Sequence, residues 1–187
     1  MTSSNFLNGK LLLAMPNMTD PRFDRSVIYL CSHDASGAMG LVINESFESL
    51  TFSGLLDQLD IETDEVVPDV TIHKGGPVEP GRGFILHSAD YVQDSTLIVS
   101  ERLALTATVD ILTAVAEDRG PIHTLLALGY TGWGGGQLDE EIRANSWLTA
   151  EADDEIIFNT ELEQKWPRTM AMLGINVAML STDAGHA

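Results

Sequence analysis

Glycine and proline interrupt this chain so often that no apolar run grows long. Its apolar runs, such as residues 11–15 and 125–128, fall far short of the roughly 20 residues that cross a bilayer as a helix. Sixteen glycines and seven prolines spread over 187 residues instead favour many short strands and brief helices joined by tight turns.

Local patterns place these elements. Residues 9–15 read as a strand stopped by Pro16, and 26–33 and 38–44 as strands joined by the hairpin-like residues 34–37. The period then changes. Phe52, Leu55, Leu56 and Leu59 recur at helical spacing behind Thr51, a cap-forming residue. Residues 62–69 read as an acidic loop, and 70–73, 83–87, 96–100 and 122–130 as strands. A helix is expected over 106–118, where Gly120 and Pro121 stop it. Thr160 and Glu163 have capping-box spacing for a last helix, which Pro167 is expected to divide or kink and Gly174 to close before a strand over 175–180. Hairpins mixed with helices make the class α+β, in a single domain over residues 1–187.

Charge narrows the partners. Ten Lys and Arg oppose 28 Asp and Glu, a net −18, and the cations are scattered. Duplex binding needs several cations set against phosphates, so direct nucleic-acid binding is not expected. The first residues lack the basic start and apolar stretch of a signal peptide, and the one cysteine, Cys31, excludes an internal disulfide; both point to a cytoplasmic protein with no membrane partner.

The stretch LGYTGWGGGQLDEEI, residues 128–142, poses the sharpest chemical question. A phosphate cradle adds a Lys or hydroxyl to its glycines. Here Asp139, Glu140 and Glu141 follow instead, where they compensate the positive helix end and repel an anion. The glycines read as a strand-to-helix corner.

Catalytic and metal motifs are missing: there is no HExxH, no paired cysteines and no G-x-S-x-G elbow, so neither metal nor cofactor is expected. Cys31 and His33, at i and i+2, would share a strand face, although a lone cysteine in an apolar strand is usually a core residue. Two loops invite a ligand. The 18–25 loop carries Asp20, Arg22 and Arg25, and an Arg fork suits carboxylate or phosphate unless it pairs internally with Asp20 or Asp24. The 75–88 segment carries Gly75 and Gly76, which allow close approach or a positive-φ turn, and ends near His87. With Glu141, these seven residues are the candidate ligand-loop set.

Four stretches carry a family resemblance: AMPNMTDPRFDRSVIYLCSHDASGAMGLVIN, GGPVEPGRGFILHS, LGYTGWGGGQLDEEIRANSWL and the W-x6-LGI pattern from Trp166 to Ile175. In this order they resemble the YqgE/AlgH family of bacterial proteins. The resemblance implies a complex α+β fold, a bent or bifurcated sheet with a small barrel-like part, surrounded by helices. It brings the label of transcriptional regulator, but no catalytic residue, metal or cofactor. No helix-turn-helix with basic recognition residues accompanies that label. The residues favour a non-catalytic cytoplasmic binding or regulatory protein acting through a protein or small-molecule partner. The alternative is an enzyme whose site is assembled from the 18–25 and 75–88 loops.

Overall fold

The computed structural model describes residues 6–63 and 66–176. These form β1 (Leu11–Ala14), β2 (Val27–Asp34), β3 (Gly37–Val42), α1 (Phe52–Gln58), β4 (Ile72–Lys74), β5 (Val78–Ser88), β6 (Leu97–Ile98), β7 (Leu103–Thr106), α2 (Val109–Ala116), β8 (Thr124–Gly134), α3 (Gln137–Arg143), β9 (Trp147–Ala150) and α4 (Leu162–Met172). The class is α+β, as expected. The chain divides into two compact units: one holds the residues up to Asn44 and from Gly132 onward, the other Glu45–Thr131.

In the first unit β9, β1, β2 and β3 pair antiparallel in that order. All four residues of β1 are buried, because it lies between β2 and β9 with both faces covered. Leu12, Ile28, Leu30, Val42, Trp133, Leu138 and Trp147 form one apolar cluster. Burying each such aliphatic side chain contributes about 1.5–3 kcal/mol. The register of β2 slips at Cys31, since Leu30 opposes Gly40 while His33 opposes Ala38. Gly40 and Ala38 share a face of β3, so Leu30 and His33 share a face of β2. This bulge puts His33 on the face of Leu30, which plain alternation along the strand would not. Burial also pushes the Cys31 thiol up to about 12.

The glycine stretch is packed as a corner. A Cβ on Gly37 would meet Trp133 O at 2.3 Å, and one on Gly135 would meet Ala35 O at 2.8 Å. Gly136, with φ 77°, needs glycine to enter α3, and Gln137 Oε1 accepts from Gly134 N at 2.9 Å.

The last helix departs from its expected form. It runs through Pro167 without dividing, and its N-cap is Glu161. The capping box does not form, because Thr160 Oγ1 donates to Glu155 O at 2.9 Å, at the end of a π-helical turn over Glu155–Asn159. Leu173 and Gly174, φ 76°, end the helix. The strand expected over 175–180 lies, from residue 177 on, outside the described residues.

In the second unit β6, β7, β5 and β8 pair antiparallel, and β4 lies parallel on the other edge of β8. β8 is therefore an interior strand of this unit. Thr51 caps α1 as its position foretold, accepting from Gly54 N at 3.0 Å. Phe52, Leu55 and Leu56 of α1 and Ile111, Leu112 and Ala116 of α2 pack on Ile72, Ile85 and Leu126 of the sheet. The expected helix over 106–118 begins only at Val109, because residues 103–106 pair with β5 as a strand.

Candidate functional site

The seven candidate residues divide between the units. Asp20, Arg22, Arg25 and Glu141 belong to the first, and Gly75, Gly76 and His87 to the second.

Asp20 starts a 3-10 turn over Pro21–Phe23 by accepting from Arg22 N at 3.0 Å. The same carboxylate takes the Arg22 guanidinium, with Nη2 at 2.7 Å, and these bonds hold its carboxyl below the usual range. The fork is thus occupied from within. Arg25 sits in the left-handed region at φ 55° and its carbonyl accepts from Asn44 Nδ2. Its guanidinium lies 5.3 Å from the ring centre of Trp166. Glu141 accepts from the indole of Trp147 at 3.1 Å and from Gln137 Nε2 at 3.1 Å. Trp147 in turn packs edge-on against Phe23 at 5.7 Å, so the 18–25 loop and Glu141 meet through an aromatic contact.

The second-unit residues are equally engaged. A Cβ on Gly75 would stand 2.2 Å from Gly129 O, and one on Gly76 at 2.2 Å from Tyr130. Their close approach is to the backbone of β8. His87 is fully buried; its Nε2 lies 2.8 Å from Thr106 Oγ1 and its Nδ1 2.8 Å from Ser88 O. Burial pushes its pKa below the usual imidazole value. Gly75 abuts Gly129 on β8 while His87 pairs with Thr124, five residues away, or about 17 Å along a strand. They do not converge.

Sequence reasoning passed over Lys165. It is 2% exposed and donates to Ile43 O at 2.9 Å and Ile157 O at 2.7 Å, and burial pulls its pKa down to about 8. The only signal was its place in α4, next to Trp166 and one turn before Thr169, both buried. Among the described residues no three His, Cys, Asp or Glu group into a metal site, and no helix is long and apolar enough to cross a membrane.

One concave feature among the described residues has an apolar, uncharged lining, and it lies within the second unit. It is a cleft of about 100 Å³ between α1, α2 and the sheet. Leu55, Leu59, Val109 and Leu112 wall it from the helices, and Ile85, Leu126 and Leu128 from the strands. Gly81, Gly83, Thr106, Ala107 and Thr108 form its remaining side. None of these residues is charged, in a chain with 28 acids. Thr106 ties the cleft to a hydrogen-bonded chain, since its hydroxyl also lies 2.9 Å from Thr96 Oγ1.

Gly81 is the telling residue. Its φ lies outside the left-handed region, and a Cβ placed on it would meet no atom within 4 Å. Neither left-handed backbone geometry nor packing demands glycine there, and Gly81 is an exposed lining residue of the cleft. Gly81 and Gly83 alternate just ahead of Ile85, a pattern that could have marked a strand face left bare.

The AlgH-like family profile matches residues 11–178. A UPF0301 protein of Rhodospirillum rubrum is 50% identical over 182 residues, covering 97% of this chain and 95% of its own. One from Cereibacter sphaeroides is also 50% identical, covering 97% and 99%. The solution structure of AlgH from Pseudomonas aeruginosa superposes with a TM-score of 0.79 at 41% identity, covering 100% of this chain and 99% of that one. A Corynebacterium diphtheriae protein shares the fold, with a TM-score of 0.71 at 22% identity over 92% of this chain and 90% of its own. With its match spanning nearly the whole length, this chain belongs to the AlgH-like family.

Proposed function

We propose that this protein is a non-catalytic, cytoplasmic binding protein that takes an apolar group of its partner or ligand into the second-unit cleft, and that any regulatory effect passes through that event. The observation that carries this reading is the cleft's uncharged, largely aliphatic lining in so acidic a chain, with open space left at its lining residue Gly81. Pockets of this kind combine apolar walls with a few polar groups, and Thr106 and Thr108 supply those. A net charge of −18 argues against direct contact with duplex DNA as the route of regulation. The enzyme alternative draws less support. Asp20 is spent on Arg22, Glu141 on Trp147 and His87 on Thr106.

The test uses Nile red, an uncharged apolar dye, in fluorescence titration. The wild-type protein should bind it saturably, and Gly81→Leu, which fills the cleft from a position free of clashes, should lose that binding while unfolding at the same temperature. Undiminished binding by a folded Gly81→Leu protein sinks the proposal.

A further inference from the structure

Along the cleft, strand β5 outruns its pairing with β7, and beyond Gly83 its pairing with β8 is interrupted. On the β8 side, Val78 pairs with Tyr130 and the next register pair is Gly83 with Leu128, so residues 79–82 bulge out unpaired. On the β7 side, pairing ends at Ile85 opposite Thr106, after which the chain turns into α2 behind Thr108.

The direction of the backbone groups follows from bonds further along. Ser88 N donates to His123 O at 3.0 Å, beside β8, and Ala89 N to Arg102 O at 2.9 Å, beside β7. Backbone groups alternate along a strand. Ser88, Leu86 and Phe84 therefore direct theirs to β8, and His87, Ile85 and Gly83 to the β7 side. At Gly83 the ladder with β7 has ended, its last pair being Ile85 with Thr106. Gly83 is also a lining residue of the cleft.

We infer that the cleft receives an extended peptide segment of a partner protein, which continues the line of β7 along the free edge of β5 and pairs with Gly83. This rests on the binding reading above and names its occupant. Residues directly opposite in an antiparallel pair share a face of the sheet. The residue that pairs with Gly83 thus projects its side chain on the face of Ile85 and Thr106, into the cleft. A cavity of about 100 Å³ is smaller than the roughly 150 Å³ that admits benzene, so it suits one branched aliphatic side chain. Main-chain bonds then give affinity and the apolar pocket gives selectivity, as in other strand-addition sites. Charge completes the description. Asp60, next to Leu59, and Asp110, next to Val109, are exposed, and neither is engaged by a cation among the described residues. Arg82, in sequence between the lining residues Gly81 and Gly83, is paired with Glu79. The segment therefore carries Lys or Arg on either side of its aliphatic residue.

The probe is a dye-labelled, end-capped pentapeptide, Lys-Val-Leu-Val-Lys, followed by fluorescence anisotropy with the full chain. The wild-type protein should bind it. N-methylation of the central leucine removes one main-chain donor and should weaken binding by about tenfold, and replacing both lysines with glutamate should weaken it as well. Gly81→Leu should bind neither peptide. Equal binding of the parent and N-methylated peptides, with loss in Gly81→Leu, overturns strand addition and leaves the cleft as a binding site. A protein that takes up Nile red but none of the peptides overturns it too. Peptide binding unchanged in a folded Gly81→Leu protein places the contact elsewhere and overturns both readings.

Discussion

His87 Nε2 lies 2.8 Å from the hydroxyl of Thr106, the residue at which β7 parts from β5 and the cleft begins. A buried imidazole here fixes the end of β7 through a side-chain bond, and the Thr106–Thr96 contact extends that bond to the segment before β6. Burial disfavours the charged ring, so the unfolded chain binds a proton more readily than the folded one. The contribution is fully present above the ordinary histidine value of 6.5 and is lost as pH falls through and below it. Urea-unfolding free energy should fall on acidification in that range, and His87→Gln should flatten the dependence. An unchanged pH profile in His87→Gln would place the acid sensitivity on other groups.

Lys165 works in the opposite pH range. Its folded value, near 8, lies below the ordinary 10.5, so between these limits the unfolded chain holds the extra proton and stability rises with pH. Lys165→Met should abolish this rise. It should also cost about 1–3 kcal/mol for each orphaned carbonyl, at Ile43 and Ile157, measured by urea unfolding near neutral pH.

Glycines of one short segment should separate by role. Gly76→Ala forces a Cβ to 2.2 Å from the Tyr130 backbone at φ 155° and should destabilise the protein by at least about 2 kcal/mol. Gly81→Ala meets nothing and should stay within about 0.5 kcal/mol of wild type. Thermal unfolding of the two variants side by side checks this, and equal losses would mean that Gly81 is structural after all.

Glu141 was a ligand-site candidate, and the structure gives it a structural task. Glu141→Ala leaves the buried Trp147 indole without its acceptor and should cost about 1–3 kcal/mol. Glu141→Gln keeps an acceptor oxygen and should recover most of that loss. Chemical denaturation followed by tryptophan emission measures both.

The sequence was most legible where one short-range rule acts alone. The Thr51 cap, the turn after Asp34 and the corner at Gly134–Gln137 each follow from local chemistry, and each is present. Legibility failed where distant partners decide. Residues 103–105 are apolar and, with Thr106, abut a helix, so only their pairing with β5 makes them a strand. Thr160 and Glu163 have the spacing of a capping box, yet the π-helical turn before them claims the Thr160 hydroxyl. A one-residue bulge at Cys31 reverses which side His33 faces, and no local pattern announces it. The polar candidates were chosen for reactive side chains that are bound internally, and Gly75 and Gly76 for a close approach that the backbone of β8 already fills. The cleft was missed because its lining comes from α1, α2 and three strands that only the fold brings together, and no local pattern in the sequence joins them.

The most direct measurement is an amide NMR titration of the full chain with the Lys-Val-Leu-Val-Lys peptide. The account expects the shifts to concentrate at Gly81, Gly83, Ile85 and Thr108, with Gly83 moving furthest. Shifts confined to Arg22, Arg25 and Trp166, or no shifts at all at a concentration where Nile red binds, would contradict it.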